Sequence, residues 1–190
     1  MLNIGVFGGS FDPIHLEHIQ IIKVVFKEFA IDKVIVVPAY KPPHKKTLNV
    51  SAIHRLNMLN CALESMKNIM IDTFEINSNR IVYTIETLDY LQGKYSNANI
   101  KLIIGADSFN NLNKWKKSDY IAKKYGFIVV NRQNIKIDMN SKFIKYSKFS
   151  NFTGTISSTQ IRENIKKGMD VRSLLNKNVL DYIKKYELYK

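Results

Sequence analysis

The strongest constraint on the fold lies near the N-terminus. "NIGVF" (3–7) is a short apolar run that ends at a pair of glycines, which is typical of a buried parallel strand that stops at a tight turn. From Ile14 onward, apolar residues recur at helical spacing, and "KVIVVP" (33–38) then forms a second apolar run closed by Pro38. This order predicts a βαβ unit, in which a helix joins two parallel strands.

The same alternation continues along the chain. The patterns predict helices from near residue 51, over 83–95, near 158–167 and near 177–187, and further strands over 100–107, 125–132 and 146–149. We therefore expect an α/β fold, with a Rossmann-like, doubly wound, mostly parallel sheet and helices on both faces. The 190 residues suit a single domain over 1–190, with a C-terminal helical part (about 155–190) packed on the same unit.

Charge and composition narrow the class of protein. The chain has 29 Lys and Arg against 16 Asp and Glu, a net charge of +13 that favours anionic partners. The cations are dispersed and no helix-turn-helix, zinc-finger or RNP pattern is present, so no nucleic-acid partner is expected. No apolar run approaches the ~18 residues of a membrane span and no signal-type segment begins the chain, which predicts a cytoplasmic protein without a membrane partner. The lone Cys61 is interpreted as a small buried apolar residue.

"GGSFDPIHLEH" (8–18) places two histidines where the first helix begins. Asp12 is a favourable N-cap and Pro13 suits the first helical position, so His15 and His18 are expected on one face beside the helix N-terminus. Free amides and the helix dipole favour an anion there, and the imidazoles add donors for a phosphate. A metal site is the alternative, but no third His and no Cys pair lies nearby, so no metal ligands are predicted among protein side chains.

Polar groups in the middle of the chain also fall at element ends. "KPPHKK" (41–46) is by itself a basic loop stiffened by two prolines. Thr84 is expected to cap the helix over 83–95 and to offer its hydroxyl and nearby amides to an anion such as a carboxylate. Asp107 is expected at the end of a strand, where a carboxylate can accept hydrogen bonds from ribose hydroxyls. Trp115, the single tryptophan, suits stacking on a pyridinium ring, and plain core packing is the alternative.

"TISSTQIR" (155–162) has the pattern of a capped helix start. Ser157 followed three residues later by Gln160 predicts a capping box, which leaves the amides of 158–160 free to bind an anion. Arg162 adds a fixed positive charge one turn further on. A well-capped structural helix is the alternative interpretation.

Together these segments resemble one protein superfamily. "GGSFDPIHLEH" resembles the GG-[ST]-F-D-P-x-H-x-G-H signature of the nucleotidyltransferases, and "TISSTQIR" resembles their I-S-S-T-x-I-R element. "KPPHKK" is similar to the PPHK motif of one branch, the bacterial nicotinate-nucleotide adenylyltransferases, in which Y-T, G-A-D and W positions also line the pyridine nucleotide pocket. The motifs occur in family order over residues 3–162, and "VLDYIKKYELY" resembles the family's C-terminal helix.

The resemblance implies a single nucleotidyltransferase domain that joins nicotinate mononucleotide to ATP, giving deamido-NAD and pyrophosphate, with Mg²⁺ bound through the phosphates. The catalytic residues that it implies are His15, His18, Lys45 and Arg162. The ATP-binding residues that it implies are Gly8, Gly9, Ser10, Phe11, His15, His18, Gly105, Asp107, Ile156, Ser157, Ser158, Thr159 and Arg162. Those for nicotinate mononucleotide are Ser10, Phe11, His44, Lys45, Tyr83, Thr84, Asp107 and Trp115.

One position departs from the family signature. Glu17 stands where the family usually has glycine, and a carboxylate there is expected to narrow the pocket or to repel phosphate. Other acceptors within the superfamily, nicotinamide mononucleotide and phosphopantetheine, stay open, as do a cytidylyltransferase and an inactive nucleotide sensor. The oligomeric state is open too, with a homodimer among the options.

Overall fold

Six parallel strands form the centre of the protein. The computed structural model describes residues 1–42, 48–133 and 135–190. The strands run in the order β3-β2-β1-β4-β5-β6, and every neighbouring pair is parallel. Their bounds are β1 Asn3–Gly9, β2 Lys33–Pro38, β3 Ile69–Ile71, β4 Asn99–Gly105, β5 Phe127–Arg132 and β6 Ser147–Gly154. The predicted doubly wound α/β fold is confirmed, and over the described residues the sheet is wholly parallel.

Helices connect the strands and close the chain. Their bounds are α1 Leu16–Glu28, α2 Ala52–Leu63, α3 Phe74–Asn77, α4 Thr84–Lys94, α5 Ala106–Asn110, α6 Ser118–Lys124, α7 Ser158–Lys166 and α8 Lys177–Lys185. The long helices agree with the predicted ones to within a few residues. The short helices α3, α5 and α6 were not predicted, because four to seven residues are too few to show an apolar stripe.

Two predicted strand ends were wrong. The strand expected over 100–107 ends at Gly105, and Asp107 lies in the first turn of α5. The strand expected over 146–149 extends to Gly154. β6 is an edge strand with alternating exposed and buried positions and an irregular register beyond Val129 of β5, so its sequence lacks a continuous apolar run.

Alternate residues of the inner strands pack on opposite faces of the sheet, which gives two apolar cores. Val34 and Val36 of β2 belong to one core, and Ile35 and Val37 belong to the other. The first core packs under α1, α2, α7 and α8, and the second under α4, α5 and α6. Burial on both faces explains why these strands are almost continuously apolar.

The order of the strands determines where a ligand can bind. From β1 the chain builds one half of the sheet through β2 and β3, and it returns to the other side of β1 with β4. In such sheets the crevice for ligands opens at the carboxyl ends of the two strands that flank this change of direction. Here those ends are Gly8-Gly9 of β1 and Gly105 of β4. In the described part of the chain, no helix is both long and apolar enough to cross a membrane.

Candidate active site

A cavity of about 420 Å³ opens at this change of direction. Its walls come from the ends of β1 and β4 and from the first turns of α1, α4 and α7. The sequence-derived candidates that line it are Gly8, Gly9, Ser10, Phe11, His18, Tyr83, Thr84, Gly105, Asp107, Trp115, Ser157, Ser158 and Thr159. Residues separated by about 150 positions in the chain therefore share one site.

Three other candidates lie beside the cavity without lining it: His15, Ile156 and Arg162. His44 and Lys45 fall outside the described residues. Within the described ranges, no group of three or more His, Cys, Asp or Glu side chains is arranged to hold a metal ion.

The two histidines lie at the N-terminus of α1, as predicted, but the helix begins three residues later than predicted. Asp12 is not the N-cap and Pro13 is not the first helical residue, because the helix begins at Leu16 with His15 as its N-cap. The His15 backbone N–H donates to Nδ1 of His18 at 3.2 Å, and the two rings contact each other with centroids 3.7 Å apart and planes inclined by 33°. Since Nδ1 accepts, the proton of a neutral His18 is on Nε2.

Asp12 instead stabilises the turn between β1 and α1 through hydrogen bonds of its buried carboxylate. It is 2% exposed, and its carboxylate accepts hydrogen bonds from Asn49 (N at 3.0 Å, Nδ2 at 3.2 Å) and from the Tyr189 hydroxyl at 2.8 Å. Burial raises the pKa of Tyr189, and the adjacent Asp12 carboxylate acts in the same direction. The hydroxyl therefore stays protonated and keeps donating to Asp12.

The start of α7 is fixed to the same turn. Ser157 caps the helix as predicted, its side chain accepting from the Gln160 N–H at 3.2 Å. The prediction that the amide of Gln160 is free was wrong, because this cap uses it. The Ser158 hydroxyl donates to the Pro13 carbonyl at 2.9 Å. Arg162 donates to the Asp12 carbonyl at 2.7 Å and to Thr159 Oγ1 at 3.2 Å. The amides at the α7 N-terminus thus face the cavity from a fixed position opposite β4.

Arg55 is a positioning residue that the sequence analysis missed. It lies on α2, is 1% exposed, and donates to the Ser10 carbonyl at 2.7 Å and to the Tyr40 carbonyl at 3.0 Å. Desolvation lowers its pKa, which the nearby Asp12 charge partly offsets. Arg55 therefore connects the turn after β1 to the segment that follows β2. An arginine within an otherwise apolar helical stripe is a sequence signal that could have revealed it.

The far end of the cavity is aromatic and basic. Thr84 was predicted to cap α4, but Tyr83 is the N-cap and Thr84 is the first helical residue, because the Tyr83 N–H donates to Glu86 Oε1 at 3.0 Å. Lys116 lies over the Tyr83 ring, 4.4 Å from its centroid. Lys114 and Lys116 both line the cavity on either side of Trp115. Their place beside the single tryptophan could have identified them.

Glu75 also lines the cavity, and nothing in its sequence context singled it out. Burial raises the pKa of its carboxyl group, and a hydrogen bond from the Thr87 hydroxyl at 2.7 Å opposes that shift. Among the more distant charges, Glu86 raises the pKa and Arg55 lowers it. Glu75 is therefore a partly desolvated acid in the lining of a cavity that also has Lys114 and Lys116.

Known proteins share this arrangement. Residues 6–164 match the family model described as "Cytidylyltransferase-like". Over 100% of both chains the protein is 39% identical to "Probable nicotinate-nucleotide adenylyltransferase" of Endomicrobium trichonymphae. It is 37% identical to the Clostridium perfringens (strain SM101 / Type A) protein of the same name, over 100% of this chain and 99% of that one.

Solved structures agree in fold. "Plasmodium falciparum nicotinic acid mononucleotide adenylyltransferase complexed with NaAD" superimposes with a TM-score of 0.82 at 24% identity, covering 100% of this chain and 98% of that chain. The same enzyme "complexed with APC" gives a TM-score of 0.81 at 23% identity over the same shares of the two chains.

The parallel sheet, the cavity at its change of direction and the matched family model together define a nucleotidyltransferase. Full-length identity of 37–39% to these two relatives identifies the family within this class. The chain belongs to the nicotinate-nucleotide adenylyltransferase family, whose members are enzymes of NAD biosynthesis.

Proposed function

We propose that this protein transfers the adenylyl group of Mg-ATP to nicotinate mononucleotide, giving deamido-NAD and pyrophosphate. A phosphate oxygen of the mononucleotide attacks the α-phosphorus of ATP in line. The bond from that phosphorus to the bridging oxygen breaks, and pyrophosphate leaves. The acceptor is already an anionic phosphate, so no covalent enzyme intermediate is needed, and catalysis rests on positioning and charge stabilisation.

One observation carries the proposal: a single cavity collects four of the segments that define the family. The H-x-x-H turn, the I-S-S-T helix start, the Y-T pair and Trp115 all contribute residues to its lining. The cavity's volume of about 420 Å³ is within the usual range for small-molecule sites. The first pair of segments is assigned to the ATP phosphates and the second to the pyridine ring.

The residues then take these roles. His18, with its proton on Nε2, donates to the phosphates of ATP, and His15 packs behind it, fixes its orientation and helps to stabilise charge on the phosphates. Arg162 and Lys45 hold the pyrophosphate end. Asp107, in the first turn of α5 at the cavity wall, accepts from ribose hydroxyls. Gly8, Gly9, Ser10 and Phe11 bring the backbone close to the nucleotides.

The acceptor end of the cavity supports the proposed preference for nicotinate. Trp115 offers an aromatic face to the pyridinium ring, and the N-terminus of α4 at Thr84 offers amides to the ring carboxylate. Lys114 and Lys116 make the surrounding potential positive. We assign the positive charge of the chain to the binding of anionic small molecules, and we therefore expect no salt-dependent binding to DNA.

The test is pyrophosphate release by the purified protein with Mg-ATP. Nicotinate mononucleotide, nicotinamide mononucleotide and phosphopantetheine are compared as acceptors at equal concentration, and CTP replaces ATP in a parallel series. We expect turnover with ATP and nicotinate mononucleotide at a kcat/KM well above that of every other pair. A preference for another acceptor or for CTP would overturn the assignment of substrates.

A further inference from the structure

Glu17, the residue that departs from the family signature, joins the starts of two helices. It lies in the first turn of α1, lines the cavity, and accepts hydrogen bonds from the Thr155 backbone N–H and from Thr155 Oγ1, the latter at 3.1 Å. Thr155 lies between the end of β6 and Ser157, the N-cap of α7. The carboxylate therefore contacts the short segment that leads from β6 into α7.

Gly154 supplies the space that this carboxylate occupies. A Cβ atom at position 154 would lie 2.5 Å from Glu17 Oε2 and 3.1 Å from the carboxyl carbon. The backbone of Gly154 is held by its pairing with β5 and by a hydrogen bond from the Gln133 N–H to its carbonyl at 2.8 Å. A methyl group at position 154 must therefore displace the Glu17 side chain, because the backbone is fixed by the sheet.

This contact complements those already described for α7. Ser158 and Arg162 connect α7 to the carbonyls of Pro13 and Asp12, in the turn before α1. Glu17 connects the segment before α7 to α1 itself, one residue from His18. Together these contacts fix the α7 amides relative to His18 from both sides of the helix N-cap.

We propose that Glu17 is a positioning residue, paired with Gly154, that holds the amides of 157–159 at the distance from His18 that the phosphates of ATP require. The inference rests on the proposed use of ATP. The departure from glycine then has a structural role, because two Thr155 donors bond Oε1 of the carboxylate and fix the side chain against the segment before α7. If the carboxylate acted only by its charge, removing it would strengthen the binding of ATP.

The experiment measures the binding of a non-hydrolysable ATP analogue by calorimetry, without acceptor. The variants are Glu17→Ala, Glu17→Gln, Gly154→Ala and the double variant Glu17→Ala/Gly154→Ala. Gln20→Ala, an exposed substitution on the same helix, is the matched control. Glutamine keeps an acceptor for Thr155 but has no charge, so it separates the hydrogen bonds from the electrostatics.

We expect Glu17→Ala to raise the Kd about tenfold, because the segment before α7 loses both of its hydrogen bonds to α1. Glu17→Gln is expected to bind at least as tightly as the unmodified protein. Gly154→Ala should weaken binding to a similar extent, and the double variant should be no weaker than Glu17→Ala alone. The proposal is overturned if Glu17→Ala binds as tightly as the unmodified protein, or if the two single effects add.

The same variants also test the contact without any nucleotide. In urea unfolding of the free protein, the losses of stability from Glu17→Ala and Gly154→Ala should be non-additive, and additive losses would refute the pairing. A protein that binds the analogue but releases no pyrophosphate with any acceptor would refute the proposed reaction and leave these comparisons valid. Failure of the reaction and failure of the Glu17 assignment are therefore distinguishable.

Discussion

At the scale of single residues, the structure separates the candidates that line the cavity from those that lie behind its wall. His15 and His18 were both predicted from their place at the start of the first helix and from the family signature, yet His18 lines the cavity and His15 is 2% exposed behind it. The contact between the two rings, with centroids 3.7 Å apart, and the hydrogen bond to Nδ1 fix the orientation of the outer ring. A pair that looks equivalent in the sequence therefore divides into a group that can touch the substrate and a group that orients it.

We expect His18→Ala to lower kcat by ~10²-fold or more with little change in KM, because a donor aimed at developing charge acts mainly in the transition state. Steady-state pyrophosphate release measures both constants. His54→Ala is the matched control, since His54 bonds the Tyr182 hydroxyl at 3.0 Å outside the cavity. An unchanged kcat in His18→Ala would contradict the role.

Glu75 gives a prediction for the pH dependence of stability. Burial raises the pKa of its carboxyl group in the folded protein, so its contribution to stability is fully present below the unfolded pKa of about 4.3 and is lost as pH rises through the folded value. We therefore expect Glu75→Gln to raise Tm at pH 7 and to lose this advantage near pH 4.

Thermal unfolding at the two pH values measures the effect, and Glu64→Gln, at an exposed position, is the control. A Glu75→Gln protein whose Tm gain is the same at pH 4 and pH 7 would show that the effect does not come from the carboxylate charge.

At the scale of elements, the long periodic segments were predictable and the short ones were not. Apolar spacing in the sequence places α2, α4, α7 and α8 to within a few residues, and the predicted cap was right for α7 and one residue late for α4. The start of α1 did not, because Asp12 has the side chain of an N-cap but is used by Asn49 and Tyr189, which are distant in the chain. At Asp12, tertiary hydrogen bonds therefore override the local preference of an aspartate for the N-cap position.

The cap of α7 combines a structural role with a proposed binding role. We expect Ser157→Ala to lower stability by about 1 kcal/mol, the usual cost of losing a side-chain cap, and also to weaken ATP binding because the first turn frays where it meets the phosphates.

Urea unfolding and calorimetry measure the two effects. Ser51→Ala removes the corresponding cap of α2, where Ser51 accepts from the His54 N–H at 3.3 Å, and should lower stability alone. Equal losses of ATP affinity in both variants would mean that α7 has no special part in binding.

At the scale of the whole molecule, the end of the chain supports the turn at its beginning. The Tyr189 hydroxyl donates to Asp12, 177 residues away, and Leu188 and Tyr189 belong to the same core as α1 and α2. Tyr182 of α8 likewise contacts His54 and Asn57 of α2. The C-terminal segment thus packs directly beneath the site.

We expect Tyr189→Phe to lower stability by about 1–3 kcal/mol, because it removes a buried hydrogen bond to a carboxylate. For a chain of this size each kcal/mol corresponds to roughly 2–4 °C in Tm. Thermal unfolding checks this value, with Tyr186→Phe, at an exposed ring, as control. An unchanged Tm in Tyr189→Phe would show that the Asp12 contact adds nothing to stability.

The sequence by itself determined the alternation of strands and helices, the parallel sheet and many of the polar and glycine residues that line the cavity, because hydrophobic periodicity, glycine turns and capping residues are local signals. Only the tertiary structure revealed Arg55, Glu75 and the Glu17–Thr155 contact, and it reassigned Asp12 from a helix cap to a support of the turn. These depend on which groups are brought together from distant parts of the chain. Burial and hydrogen-bond partners are properties of the packed molecule, and no local pattern encodes them.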